Sequence, residues 1–225
     1  MNGTFGAVIP AFNESRHIRA VIEETARFIP VSNIVIVDDG SADGTADEAR
    51  SAGADVLVNT VNSGKGASLL RGFEALLERG GIEGIFTLDA DGQHDPSEMM
   101  RFIEEYRRSG AEIVIGSRMG RLAGMPAIRR ITNRLTSWII SVRAGQRVED
   151  SQSGYRLISS DLLGRIEIES TRFDMESEIL IKSAAAGARI AAVPITTIYG
   201  EEKSKIHPVR DTVRFLRLVW RSFFW

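Results

Sequence analysis

Residues 84–96 read GIFTLDADGQHDP. Residues 84–88 form a short apolar run, and two aspartates one position apart, Asp89 and Asp91, follow before the chain turns. A run this short that ends on Asp and Gly suits a buried strand rather than a helix, which needs a longer periodic stretch. In extended chain, residues 89 and 91 point to the same face, so the strand tip brings two carboxylates toward one point. Paired charges at the end of a buried strand cost free energy unless a cation sits between them. Oxygen-only ligands favour magnesium or manganese, which keep positions open for phosphate oxygens. Such an ion bridging two phosphates would neutralise a diphosphate leaving group. Gln93 offers a further oxygen. His94 is an alternative ligand or, as an exposed loop histidine, simply solvated. The D-x-D spacing by itself is weakly specific.

The neighbouring sequence repeats the strand-and-helix alternation. FGAVIP (5–10), NIVIVDDG (33–40), DVLVN (55–59) and EIVIGSR (112–118) read as strands. ESRHIRAVIEETARFI (14–29), GTADEARSAG (44–53), GKGASLLRGFEALLERG (64–80) and PSEMMRFIEEYRRSG (96–110) read as helices between them. This order predicts an α/β fold, a Rossmann-like, mostly parallel central sheet flanked by helices. Ligands of such sheets bind beyond the carboxyl ends of the strands. After Arg118 the pattern loosens: a loop at 122–126, a helix over 127–143, strands over 153–159 and 189–199, a helix over 174–187, and a C-terminal helix from about Pro208. The expected division is one domain over 1–207 and an amphipathic helix over 208–225.

Composition bounds the function classes. The 225 residues are 43% hydrophobic and 26% charged, with no cysteine, so disulfides and thiolate metal sites are excluded. The first residues lack the basic and apolar segments of a signal peptide, and no apolar run reaches the roughly 18 residues of a membrane span. The net charge of -2 conceals an asymmetry: residues 1–117 carry 10 Lys/Arg against 19 Asp/Glu, and residues 118–225 carry 18 against 11. The basic second half suggests an anionic partner such as a nucleic acid, a phosphorylated ligand or an acidic membrane surface. Acidic clusters lining the presumed cleft argue against a nucleic-acid backbone.

Three strands end in polar clusters on the same expected edge: Pro10-Ala11-Phe12-Asn13-Glu14, then Asp38-Asp39 in VDDGSADGT, then Asp89 and Asp91. Singly, a helix cap or a turn accounts for each. Together, at successive strand ends, they indicate a site. NSGKGAS (62–68) departs from G-x-x-x-x-G-K-[ST], which excludes a P-loop ATPase, and no G-x-G-x-x-G follows the first strand. Lys65 and Gly66 stand either near a nucleotide at a helix N-terminus or at a plain helix start with a solvated lysine.

VIPAFNE, VDDGSADGT, NSGKGAS, LDADGQHDP and DSQSGYRL occur in the order seen in family 2 glycosyltransferases of the GT-A fold. The chain most resembles the dolichol-phosphate mannose synthase and polyprenyl-phosphate glycosyltransferase branch, from about Ala7 to Arg214. The resemblance implies an inverting transfer of a hexose from a UDP- or GDP-linked sugar to a polyprenyl or dolichyl phosphate. It implies a metal, Mg2+ or Mn2+, held by Asp89, Asp91 and Gln93. Asp39 would read the base, with Pro10, Ala11 and Glu14 flanking the nucleoside. Arg118 and Arg130 would meet the acceptor phosphate, Lys203 and Lys205 would close on the diphosphate, and Asp150 and Gln152 would lie near the transferred sugar. A lipid phosphate is already an anion, so its attack needs positioning and charge neutralisation rather than a strong base. A hydroxyl acceptor would need one, and Asp150 is the candidate. The Q-x-x-R-W signature of the polysaccharide-synthase branch is not matched, since Gln152 is followed by SGYR. A nucleotide-binding module without catalysis is the non-enzyme alternative.

The last residues, RDTVRFLRLVWRSFFW, place Arg210, Arg214, Arg217 and Arg221 on one stripe of a helix, with Leu216, Val219, Trp220 and Phe223 mainly opposite. Either the apolar side packs on the core, or it holds the protein peripherally at the cytoplasmic face of a membrane.

Overall fold

The computed structural model describes residues 4–120, 127–196 and 208–225. Among these residues seven strands form one sheet: β1 (Thr4–Ala11), β2 (Ile34–Asp38), β3 (Asp55–Val58), β4 (Ile82–Thr87), β5 (Ile113–Ser117), β6 (Arg156–Ser159) and β7 (Ile190–Pro194). Their order across the sheet is β3-β2-β1-β4-β6-β5-β7. β6 runs antiparallel to both β4 and β5, and the remaining pairings are parallel. The expected mostly parallel sheet is present. Successive strands build outward from β1 through β2 to β3, and the chain then returns to the other side of β1 for β4. That reversal opens a crevice at the carboxyl ends of β1 and β4, the usual ligand position in an open α/β sheet.

Alternation along the strands divides the core into two layers. Ala7, Ile9, Ile34 and Ile36 face α1 (Ile18–Thr25), α2 (Thr45–Ser51) and α4 (Met99–Ser109). Val8, Val35 and Val37 face the opposite layer, built by α3 (Lys65–Arg79), α5 (Ala127–Ala144), α6 (Ser160–Arg165) and α7 (Met175–Ala185). α8 (Pro208–Arg221) joins this second layer through Phe215. Each buried Val, Ile or Phe contributes roughly 1.5–3 kcal/mol, so both sheet faces are needed for stability. α3 can lie close to β1 because residue 72 is glycine: a Cβ there would collide with both methyls of Val8.

Several boundaries differ from expectation. α1 begins at Ile18 rather than Glu14, because residues 14–17 form a turn in which the Glu14 carbonyl accepts from the N–H groups of His17 and Ile18. The strand expected over 153–159 is confined to 156–159, since residues 150–154 turn across the sheet edge. α6 was not expected at all. Of the strand expected over 189–199, residues 190–194 are found, and 197–199 lie outside the described residues.

Candidate active site

The loops after β1 and β2 are stitched together. Asn13 adopts a left-handed conformation with φ 55°. Its N–H donates to Ser41 Oγ at 2.8 Å and its side-chain oxygen accepts from the Ala42 N–H at 3.0 Å. The Glu14 N–H donates to Thr45 Oγ1 at 2.9 Å. Pro10, Ala11 and Glu14 thus sit at the crevice rim, with the Glu14 side chain buried beside His17. Asp39 ties this rim to the next loop. Its carboxylate accepts from the Ser63 and Gly64 N–H groups and from Asn59 Nδ2, each at 2.8 Å. Three of its roughly four acceptor positions are therefore filled by the protein itself.

The cation beside Asp89 is a side chain. Lys65, the first residue of α3, places Nζ 2.6 Å from Asp89 Oδ1 and 2.7 Å from Glu176 Oε1. Glycine at 154 makes room, since a Cβ there would come within 2.7 Å of Lys65 Nζ. Burial alone would lower the lysine pKa, but the Asp89 and Glu176 carboxylates carry it above the ordinary value. Burial likewise opposes ionisation of Asp89, and the Lys65 ammonium more than offsets this, holding the carboxyl well below its usual range.

Asp91 is different. Burial, the Asp89 charge and the Glu14 charge push its pKa up to about 6, and only the Gln93 N–H on Oδ1, at 3.0 Å, and the more distant Lys65 relieve it. Among the described residues this carboxylate has no cationic side chain within ion-pair distance. Among the described residues no group of three His, Cys, Asp or Glu side chains could hold a metal alone. One carboxylate is still sufficient for magnesium or manganese when phosphates and water complete the shell. The residues fit such an ion at Asp91. Of the other expected ligands, Asp89 is engaged by Lys65 and Gln93 contributes its backbone to the Asp91 turn.

His94 is not the solvated loop residue considered from the sequence. It is buried, its ring stacks on Tyr155 with centroids 5.0 Å apart, and Nδ1 accepts from the Asp89 N–H at 3.1 Å. Burial lowers its pKa, and with Nδ1 accepting from the Asp89 N–H the ring proton sits on Nε2, which faces Asp89 Oδ2 at 3.8 Å. Because Nδ1 is occupied, His94 braces the strand tip.

Arg118, just after β5, grips Asp150 in a bidentate pair: Nε to Oδ2 at 2.8 Å and Nη2 to Oδ1 at 2.9 Å. The Arg118 N–H and Asn133 Nδ2 on α5 also donate to this carboxylate. Asp150 is 0% exposed, and although burial opposes its charge, Arg118 and Asn133 hold its pKa below the usual range. Arg118 Nη1 takes no partner among the described residues. Arg130 lies three residues before Asn133, on the same face of α5, and its buried Nε has no hydrogen-bond partner among the described residues. Gln152 is exposed at the tip of the 150–154 turn. Lys203 and Lys205 lie outside the described residues.

Two members of the site were not read from the sequence. Glu176 opens α7 and is the second carboxylate on Lys65. Arg156 is almost fully buried and donates to the carbonyls of Ser153, Ser151 and Glu176 at 2.8, 2.8 and 2.6 Å. It binds the 150–154 turn to the start of α7. An arginine within the apolar strand RLIS was the available signal.

The family profile described as Glycosyl transferase family 2 matches residues 7–165. The chain belongs to glycosyltransferase family 2. Relatives of this glycosyltransferase include undecaprenyl-phosphate mannosyltransferase from Micrococcus luteus, 32% identical over 86% of this chain and 83% of that one. Another is polyprenol monophosphomannose synthase from Mycolicibacterium smegmatis, 30% identical over 84% of this chain and 75% of that one. The resemblance to the polyprenyl-phosphate branch is thereby borne out. Among solved structures, glucosyl-3-phosphoglycerate synthase from Mycobacterium tuberculosis bound to UDP superposes with a TM-score of 0.76 and 20% identity, covering 98% of this glycosyltransferase and 80% of that chain. The same synthase has been crystallised with Mg2+ and with Mn2+ together with UDP. The GT-A type architecture expected from the sequence is therefore the one present.

Proposed function

We propose that this glycosyltransferase moves a hexose from a nucleoside-diphosphate sugar to a polyprenyl phosphate, with inversion and with a divalent metal at Asp91. The observation that carries this reading is the Arg118–Asp150 pair. The side chain best suited by sequence to act as a base is fully buried and consumed by a bidentate guanidinium. An acceptor that must lose a proton would be poorly served there, whereas a phosphate oxygen attacks C1 as the anion it already is. The C1–O bond to the diphosphate then breaks, and the nucleoside diphosphate departs with the electron pair.

The named relatives act on polyprenyl phosphates, which supports this acceptor. The Mg2+- and Mn2+-bound structures of the phosphoglycerate synthase support the metal. When bound, that ion would neutralise charge developing on the leaving diphosphate. Asp39, Pro10, Ala11 and Glu14 border the nucleoside in this reading, Gln152 the sugar, and Lys203 and Lys205 the diphosphate. Lys65 serves as the fixed counter-charge of Asp89. In this reading Arg118 Nη1 and the Arg130 guanidinium donate to the acceptor phosphate. Residues 208–225 form a distinct terminal helix that keeps the enzyme peripheral at the cytoplasmic face of the membrane. No helix among the described residues is long and apolar enough to cross one.

The test is transfer from radiolabelled UDP- and GDP-sugars to a polyprenyl phosphate, with a free glycan hydroxyl as the control acceptor. Transfer to the glycan alone would overturn the reading. Within the same assay, Arg130→Ala removes a charge-assisted hydrogen bond of about 1.5–3 kcal/mol. It is expected to raise the acceptor KM by about 10- to 100-fold, with donor affinity by calorimetry unchanged. Loss of donor affinity with acceptor kinetics intact would place Arg130 at the other end of the site.

A further inference from the structure

α5 is amphipathic the wrong way round for a helix on a protein core. Its inward face carries Asn133, Thr136, Ser137 and Ile140, all buried. Its outward face carries Ile131, Leu135, Trp138 and Val142, each between 54% and 65% exposed. Those four residues follow helical spacing and make one apolar stripe.

α8, continued by the turn Ser222–Phe224, also leaves apolar residues exposed, here over an inward side that is itself mainly apolar. It packs through Phe215, Leu218 and Ser222, while Leu216, Trp220 and Phe223 stand 55%, 66% and 69% exposed. The two helices are clamped at their C-terminal ends. Arg143 of α5 donates from Nε to Ser222 Oγ at 2.8 Å and from Nη2 to the Ser222 carbonyl, and its guanidinium lies 5.3 Å from the Phe223 ring centroid. Val142 and Phe223 therefore flank one junction. The chain has three tryptophans, and all three are exposed: Trp138 on α5, Trp220 on α8, and Trp225 just beyond α8, where Lys182 Nζ lies 4.6 Å from its ring centroid.

We propose that α5 and α8 together form a two-helix platform that docks on an anionic lipid surface, with α5 contributing as much as the C-terminal helix. Contiguous exposed apolar surface of this kind marks an interaction site. Exposed tryptophans beside arginines suit the headgroup region of a bilayer. Charge selects the lipid over a second copy of the chain. A shallow groove beside the stripe is lined by Met119, Arg134, Trp138, Arg147 and Glu149, the last two paired at 3.2 Å, whereas Arg134, Arg210 and Arg217 have no carboxylate partner among the described residues. A self-complementary dimer would bring these arginines onto one another, whereas phosphate headgroups would neutralise them. Only the choice of a lipid partner rests on the functional reading above; the inverted helix stands without it.

The experiment is co-sedimentation of the full chain with vesicles of phosphatidylcholine containing phosphatidylglycerol, against phosphatidylcholine alone, for the wild type, Trp138→Glu, Trp138→Ser and Trp220→Glu. Each substitution is expected to lower the partition coefficient at least tenfold, the α5 variants as strongly as the α8 variant. Wild-type binding should fall with salt and be weak on phosphatidylcholine alone. Circular dichroism confirms that each variant is folded, and transfer to a short, water-soluble prenyl phosphate should be unchanged in all of them. Wild-type binding by Trp138→Glu, absence of wild-type binding, or a dimer in solution that Trp138→Glu dissociates would each overturn the platform. Vesicle binding by a wild type that never transfers sugar would leave the platform standing and defeat the functional reading instead.

Discussion

Asp91→Asn is expected to slow transfer by about 10²–10³ while making the protein without its ligands more stable. The loss follows from removing one preorganised charge at the leaving diphosphate, which typically costs that much. The gain follows from linkage. Asp91 moves from an ordinary 3.8 to about 6 in the folded chain because of its burial and its neighbours Asp89 and Glu14. The folded state thus holds this proton more tightly than the unfolded state. Its stability falls as pH rises through the window between those two values, and the penalty is complete above it. At ~1.4 kcal/mol per unit the ceiling is about 3 kcal/mol, reduced by the solvent-facing part of the carboxylate. Thermal melts at neutral pH should place the Asn variant above the wild type, and melts below pH ~4 should bring the two together. Mg2+ with a nucleoside diphosphate should reverse the order at neutral pH, because only the wild type gains a folded-state ligand. Full activity in Asp91→Asn would sink the assignment of the metal to this residue.

Arg156→Ala is expected to cost about 3–5 kcal/mol of stability. A buried large-to-small change alone costs 2–5 kcal/mol. Here it also strips donors from three carbonyls, those of the buried Ser151 and Ser153 and of the half-buried Glu176. Burial already pulls the guanidinium pKa down, so its charge is retained at a cost that the carbonyls and the nearby Glu176 and Asp150 charges offset. Arg156→Lys should rescue only part of the loss, since one ammonium cannot reach three carbonyls in a fixed fork. Urea denaturation measures both. A loss below about 1 kcal/mol for Ala would mean that water replaces the guanidinium in the turn.

The sheet and its helices were legible in the sequence because they rest on period: alternating strands before Arg118 and the 3.6-residue repeats of α3, α4, α5 and α8. The polar clusters at the ends of β1, β2 and β4 were legible as one edge for the same reason. What escaped was pairing between distant residues. Nothing local in LDADGQHDP says that Asp89 is satisfied by Lys65, 24 positions upstream, or that His94 turns inward onto Tyr155. Glu176 appears on its helix as an ordinary first-turn acid. The inward polar face of α5 was hidden because hydrophobic spacing identifies a helix face without saying which side meets the core.

β5 and β6 are antiparallel neighbours, with Ile113 opposite Ile158 and Ile115 opposite Arg156. Residues 118–155 therefore leave and rejoin the sheet at the same edge, so this excursion is topologically a hairpin loop despite its length. It carries Arg118, Arg130, Asp150, Gln152 and the whole of α5. Lengthening or shortening it changes no strand register, and doubling a flexible loop costs only about 0.6 kcal/mol in closure entropy. Under the proposed function, the acceptor side is thus carried by one excursion between neighbouring strands, while the donor side is woven through the parallel crossovers of β1 to β4.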